Sequence, residues 1–273
     1  MPAPIHRTAR DDGPRGGTQG ESRVDAVAQQ LQRANQELLL HGELRRHFLA
    51  MASHELRTPL TAIAGFASTM TEMWDQLPEA EKRKFVGIIS EQADRLTTIV
   101  EDIFIVTRLE AGDFPVRPRQ LGVDGPITDV VERLDTAGEV RVDCAADLQV
   151  FADPQCVRDI LLRFTSNAVQ HGRPPITIAA RGDDGFVEIT VSDTGDGVPP
   201  EFVPYLFTKF AQAPNAHVPD PTGTGLGLAV VRGLTAALGG TAFYRPAEPH
   251  GAIFGVRLPG APDRRIGPAT RRA

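Results

Sequence analysis

Apolar residues fall into two long helical stripes and then into short alternating runs. Val24, Val27, Leu31, Ala34 and Leu38 step by three and four, a short heptad-like seam in a stretch free of Pro and Gly from Glu21 to His41. A stronger stripe follows in Leu49, Ala52, Leu56, Leu60, Ile63, Ala67, Met70 and Trp74. Leu77-Pro78-Glu79 breaks it. A second stripe then carries Phe85, Ile88, Gln92, Leu96, Ile99, Ile103 and Val106 and ends near Gly112, with Pro115 and Pro118 behind it. Two amphipathic helices joined by a short turn predict an antiparallel hairpin. One hairpin cannot bury both stripes, whereas two hairpins paired as a four-helix bundle can, so a homodimer is expected.

From about Gln120 the pattern becomes mixed. Helices are expected over 127–134, 154–171 and 226–238, the second opened by Asp153-Pro154 with Pro at the first helical position. Strands are expected over 139–144, 148–152, 176–181, 186–192, 241–244 and 253–258. Gly182-Asp183-Asp184-Gly185 marks a hairpin between two of them. This order suits a sheet covered by helices on one face. The segments 1–22 and 261–273 are rich in Pro, Gly or Arg without an apolar period and read as disordered tails.

Composition narrows the function. A net charge of −6 supplies no field for wrapping nucleic acid or docking on an anionic membrane. No apolar run approaches the roughly 18 residues of a membrane span, and no apolar signal core opens the chain, so a cytoplasmic protein is expected. Cys144 and Cys156 are too few for a disulfide framework or a zinc site.

At about 100° per residue, His54 points roughly 160° away from the stripe of its own helix. Alone it would be an ordinary surface histidine. Glu55 beside it can hold the ring or take its proton, and an unprotonated imidazole is a nucleophile. Pro59 lacks an N–H and frees the Glu55 carbonyl, so a bend is expected one turn beyond the histidine. The run Ser53-His54-Glu55-Leu56-Arg57-Thr58-Pro59-Leu60 resembles the phospho-acceptor box of bacterial sensor histidine kinases. That resemblance implies His54 as phospho-acceptor, Glu55 assisting phosphotransfer, and Thr58 positioning water for removal of phosphate from a partner.

Three further motifs are weak singly. Asp193-Thr194-Gly195-Asp196-Gly197 follows an expected strand and reads equally as a turn. Gly223-Thr224-Gly225-Leu226-Gly227 opens a helix, where glycines admit phosphate to backbone N–H groups or simply allow close packing. It is neither a P-loop nor a Rossmann fingerprint. Asn167, on the helix after Asp153, offers a hard amide oxygen suited to Mg²⁺. In this order the motifs are similar to the ATP-binding domain shared by histidine kinases, Hsp90-type chaperones, type II topoisomerases and mismatch-repair ATPases. By that resemblance Asp193, Gly195 and Gly197 form the first glycine box, with Asp193 accepting the adenine amino group. Asn167 binds Mg²⁺. Lys209, in Leu206-Phe207-Thr208-Lys209-Phe210, faces phosphate, and 204–222 forms a lid. Gly223, Gly225 and Gly227 form the second glycine box. Arg163 and Gln170 stand where family members often carry Asn and Lys.

The expected fold is therefore α+β: a helical-hairpin dimerisation and phosphotransfer domain over 44–113, preceded by a helical linker over 23–43, then a Bergerat-type α/β-sandwich ATP-binding domain over 114–260. The expected activity is ATP-dependent autophosphorylation of His54 with Mg²⁺, then transfer to an aspartate of a response regulator. The alternative is a catalytically weak, nucleotide-switched scaffold or response-regulator phosphatase. No sensor domain is legible, so the signal is expected to enter through the N-terminal helix, a partner or a separate sensor protein.

Overall fold

The computed structural model describes residues 46, 48–134, 139–212 and 224–261. The expected tails and the 23–43 linker lie outside these residues. The chain divides into two compact units, 1–51 and 52–273. Of the first, 48–51 are helical.

The second unit opens with the hairpin. Helix α1 covers 52–73 and stays helical through Pro59. Helix α2, Glu79–Ala111, starts directly after Pro78 and ends at Gly112, whose left-handed backbone sends its N–H back to the Arg108 and Leu109 carbonyls. Every position of the expected α2 stripe is at least half-buried, with Ile99 and Val106 fully so. On α1 the expected stripe is only partly covered. Ala52 and Met70 are buried, whereas Leu60, Ala67 and Trp74 are exposed. Leu60 and Ala67, seven residues apart, share an exposed face, and Lys82 of α2 sets its ammonium 4.5 Å from the Trp74 ring. Phe66 stacks on Phe85 across the hairpin at 5.2 Å.

Strand β1 (Arg119–Gly122) follows, then α3 (Asp124–Leu134), β2 (Val140–Cys144), β3 (Gln149–Ala152), α4 (Pro154–His171), β4 (Ile176–Asp183), β5 (Phe186–Ser192), a 3-10 turn (Val203–Tyr205), α5 (Gly227–Ala237), β6 (Thr241–Pro246) and β7 (Ala252–Pro259). One sheet has the order β2-β4-β5-β7-β6, with only β2–β4 parallel, and β1 pairs antiparallel with β3 in a second. Alternate residues of the central strands are buried: Ile176, Ile178 and Ala180, then Val187, Ile189 and Val191, then Phe254, Val256 and Leu258. A strand's period of two aims these at one face, and α4 and α5 cover it with Ile160, Leu161, Phe164, Val230, Val231 and Leu234. Phe164 meets Phe254 at 5.9 Å in this core.

Asp153 does two jobs at the start of α4. One carboxylate oxygen caps the helix by accepting the Gln155 N–H at 2.9 Å, and the other accepts the Arg117 N–H at 2.8 Å. Both cysteines are free, and burial, with the Asp153 charge adding, pushes the Cys156 thiol up to about 12, which keeps it protonated. No helix among the described residues is long and apolar enough to cross a membrane.

Candidate functional site

The hairpin presents His54 and Glu55. His54 sits on α1 with its side chain 72% exposed, on the wet side of the stripe as its spacing requires. Its Nδ1 lies 3.5 Å from one carboxylate oxygen of Glu55. The other Glu55 oxygen is 3.6 Å from a guanidinium nitrogen of Arg95, which reaches across from α2. Glu55 and Arg95 are only 13% and 11% exposed, so a sheltered ion pair stands beneath an open imidazole. A carboxylate held in this way stands beside Nδ1 of the exposed ring. Thr58 lies one turn along the same face, and its hydroxyl donates to the His54 carbonyl at 3.4 Å.

The second site is built where β5 ends, beside the end of α4. Asp193 leaves β5 with 5% exposure. Its backbone N–H donates to the Ala252 carbonyl at 3.0 Å, and its carboxylate accepts the Gly195 N–H at 2.8 Å. Burial, only partly offset by backbone hydrogen bonds from Gly195 and Ala252, raises the Asp193 carboxyl above the ordinary aspartate range. Thr194 binds the Arg173 carbonyl through its N–H at 3.0 Å, which ties this loop to the end of α4. Gly197 follows in the left-handed region, and the next N–H, of Val198, donates to the Tyr244 hydroxyl at 3.3 Å. Asn167 is half-buried on α4.

The second glycine turn comes from later in the chain. Gly225 has φ +65, and a Cβ there would come within 2.7 Å of the Phe210 backbone, so only glycine fits. Its carbonyl accepts the Phe210 N–H at 2.8 Å, which joins the phenylalanine box to the second glycine box. Gly227 opens α5, with Arg163 Nη1 close to where its Cβ would stand. Lys209 pairs with Glu110 of α2. Burial, with the Arg232 charge adding, pulls the Lys209 ammonium below its usual range. Gly223 lies outside the described residues.

The structure thus joins Asp193 and Gly195 to the end of α4, and Gly225 to Phe210. It also exposes partners that sequence reasoning missed. Arg95 belongs with Glu55, Asp102 of α2 holds Arg163 at 2.6 Å, and Glu110 holds Lys209. Only Asp102 carried a signal, as a carboxylate between the apolar stripe positions Ile99 and Ile103.

Among the described residues no three His, Cys, Asp or Glu side chains converge on a metal position. A divalent ion held here would take one amide oxygen from Asn167 and its other ligands from phosphate and water, a donor set that suits Mg²⁺.

Comparison with known proteins matches both halves. Residues 44–112 match the His Kinase A (phospho-acceptor) domain, and residues 152–262 match the histidine kinase-, DNA gyrase B- and HSP90-like ATPase. The chain is 34% identical to the histidine protein kinase DivJ of Caulobacter vibrioides, over 83% of this chain and 39% of that protein. It is similar to full-length ShkA, solved in complex with AMPPNP, at 30% identity and a TM-score of 0.56, over 78% of this chain and 45% of that one. The fold also matches histidine kinase ThkA, solved with the response regulator protein TrrA, at 22% identity and a TM-score of 0.62, over 88% of this chain and 67% of that one. The chain spans less than half the length of the curated relatives it matches.

Proposed function

The chain belongs to the two-component sensor histidine kinases, and on that premise we propose that it autophosphorylates His54 and passes the phosphoryl group to an aspartate of a response-regulator receiver domain. The observation that carries this reading is the pairing, in one chain, of an open imidazole backed by Glu55 and Arg95 with a buried carboxylate set among glycines.

His54 offers Nε2 as the nucleophile. Glu55 holds Nδ1 and takes up the positive charge that forms on the ring, and Arg95 keeps that carboxylate in place. Asp193, with Gly195 and Gly197, recognises the adenine amino group. Asn167 binds the metal, and Lys209 with the N–H groups of Gly223, Gly225 and Gly227 receives the phosphates. Mg²⁺ with ATP supplies, when bound, the phosphoryl group and the charge neutralisation its transfer requires. Thr58, one turn from His54, holds water against a docked phosphoaspartate and serves dephosphorylation of the regulator. The domain limits follow the same roles: 44–113 for dimerisation and phosphotransfer, 114–260 for catalysis. The exposed heptad face Leu60, Ala67 and Trp74 supports a homodimer through paired hairpins. The need for ATP and a receiver domain puts this part of the chain in the cytoplasm.

The test is incubation with γ-labelled ATP. Wild type should take up an acid-labile, alkali-stable label, as a phosphoramidate does. His54→Gln should take up none while binding nucleotide normally. An acid-stable label, or undiminished labelling of His54→Gln, overturns the assignment.

A further inference from the structure

The turn over 193–198 lies against the end of the β6–β7 hairpin and is fastened to both of its strands. At its first residue the Asp193 N–H donates to the Ala252 carbonyl of β7 at 3.0 Å. At its last residue the Val198 N–H donates to the Tyr244 hydroxyl of β6 at 3.3 Å. Gly197 fits closely in between: a Cβ there would stand 2.9 Å from the Gly251 carbonyl oxygen and 3.8 Å from the Tyr244 hydroxyl. The bond at Val198 replaces a ladder that has run out. Strand β5 pairs with β7 only as far as Ser192, opposite Ile253, and a part-buried backbone N–H without an acceptor is costly. Tyr244 is the side chain that supplies the acceptor.

Tyr244 is itself held by packing. It stands opposite Phe254 in the β6–β7 register, and the two rings lie 5.3 Å apart. Phe254 meets Phe164 of α4 at 5.9 Å, and Phe164 is fully buried three residues before Asn167. Tilted rings at such separations attract, so the hydroxyl projects from an aromatic column that stands on the core. A phenylalanine at this position would keep the column and lose the pin. Inside the turn the Asp193 carboxylate takes the Gly195 N–H at 2.8 Å. The direction in which that carboxylate is offered therefore depends on where 195–198 lies.

We propose that Tyr244 is a positioning residue of the nucleotide site, which sets the preference for the adenine amino group by pinning the turn at Val198 and so aiming Asp193. The inference rests on the assignment of Asp193 to adenine. Without the pin the turn spreads over several positions, and only one of them brings the carboxylate to the amino group. Affinity then falls in proportion to the fraction of molecules in that position. A purine without the amino group gains nothing from Asp193 and is indifferent to the pin. Tyr244 thus governs discrimination between purines rather than affinity for nucleotides at large.

Titration calorimetry on the 273-residue chain tests this, with ADP and with purine riboside 5′-diphosphate, which lacks the amino group. In Tyr244→Phe the Kd for ADP should rise about 2- to 12-fold, the range of one net hydrogen bond. The Kd for purine riboside diphosphate should keep its wild-type value, which also shows that the site is folded. In an Asp193→Asn background, where the amino group has lost its charged acceptor, the effect of Tyr244→Phe on ADP should shrink. An unchanged Kd for ADP in Tyr244→Phe overturns the proposal. Equal weakening of both ligands, or an effect undiminished in Asp193→Asn, reduces Tyr244 to a structural brace and overturns it too. If Asp193→Asn alone leaves ADP binding unchanged, the adenine assignment falls and takes the proposal with it. These affinities are read without phosphotransfer. If they respond as stated and no form labels His54, the role of Tyr244 stands and the kinase assignment fails.

Discussion

Replacing Asp193 with Asn should move binding and stability in opposite directions. The carboxylate is buried, holds the Gly195 N–H at 2.8 Å, and has its pKa raised chiefly by burial. A group whose folded pKa is raised stabilises the fold only while protonated. That contribution is complete below about 3.9, the ordinary aspartate value, and is lost as pH rises through the folded pKa. At pH 7 the ionised Asp193 therefore costs stability, and a neutral Asn of the same shape removes the cost. It also removes a charged acceptor from the adenine position. A hydrogen bond to a charged group contributes about 1.5–3 kcal/mol, so nucleotide Kd should rise about 10- to 150-fold. Calorimetry measures both effects. By titration the variant should bind an ATP analogue that much more weakly. By thermal scan without nucleotide it should melt above wild type at pH 7, at about 2–4 °C per kcal/mol for a domain of this size. The gap should narrow as pH falls and wild type takes up its own proton. An unchanged Kd would remove Asp193 from the adenine site. A lower Tm at pH 7 that does not recover on acidification would mean that the carboxylate is a structural brace.

Gly251→Ala should be more severe, because φ is +118 there and a Cβ would overlap the Asp193 carbonyl oxygen. A loss above about 1 kcal/mol in urea unfolding, together with lost nucleotide binding, is expected, and a neutral result would refute the close approach. Phe164→Ala empties the core beneath the sheet and should cost about 3–5 kcal/mol in the same assay. Thr58→Ala should slow dephosphorylation of the phosphorylated regulator and spare labelling of His54, while Glu55→Ala should slow labelling. Following each half-reaction with purified proteins decides this, and equal loss of labelling in both variants would reduce Thr58 to helix geometry. Leu96→Asp should put an unpaired charge into the bundle core and yield monomers or aggregates by light scattering. A wild type that is monomeric at every concentration would refute the bundle.

Local grammar carried most of the fold. Asp153-Pro154 placed the start of α4, and Gly182 to Gly185 placed a hairpin whose register pairs Asp183 with Phe186. Helix α3 begins at Asp124, ahead of its expected start, because Pro126 is tolerated in a first turn. Strand β1 gave no signal: Arg119–Gly122 has no alternation, and its strand character comes from pairing with β3. The site was legible as separate motifs because each supplies its own turn or helix end. Its wiring was not. Asp102 meets Arg163 61 residues away and Thr224 122 residues away, and no local period reports partners at such separations. The same holds for α1, where Leu60 and Trp74 fit a helical stripe yet stay exposed.

The cap at Asp153 also sets a leash. Asp113 is fastened to the end of α2 by its N–H on the Arg108 carbonyl at 3.1 Å, and Arg117 is fastened to the ATPase domain through Asp153. Between these anchors run four peptide units, which reach at most about 13–14 Å when extended. A tether that short keeps the effective concentration of the domain at its helix high and confines its search to a few turns of α2. Lengthening the segment with Gly-Ser repeats would trade local concentration for reach, so linker length itself becomes a setting of the rate at which this chain samples its acceptor.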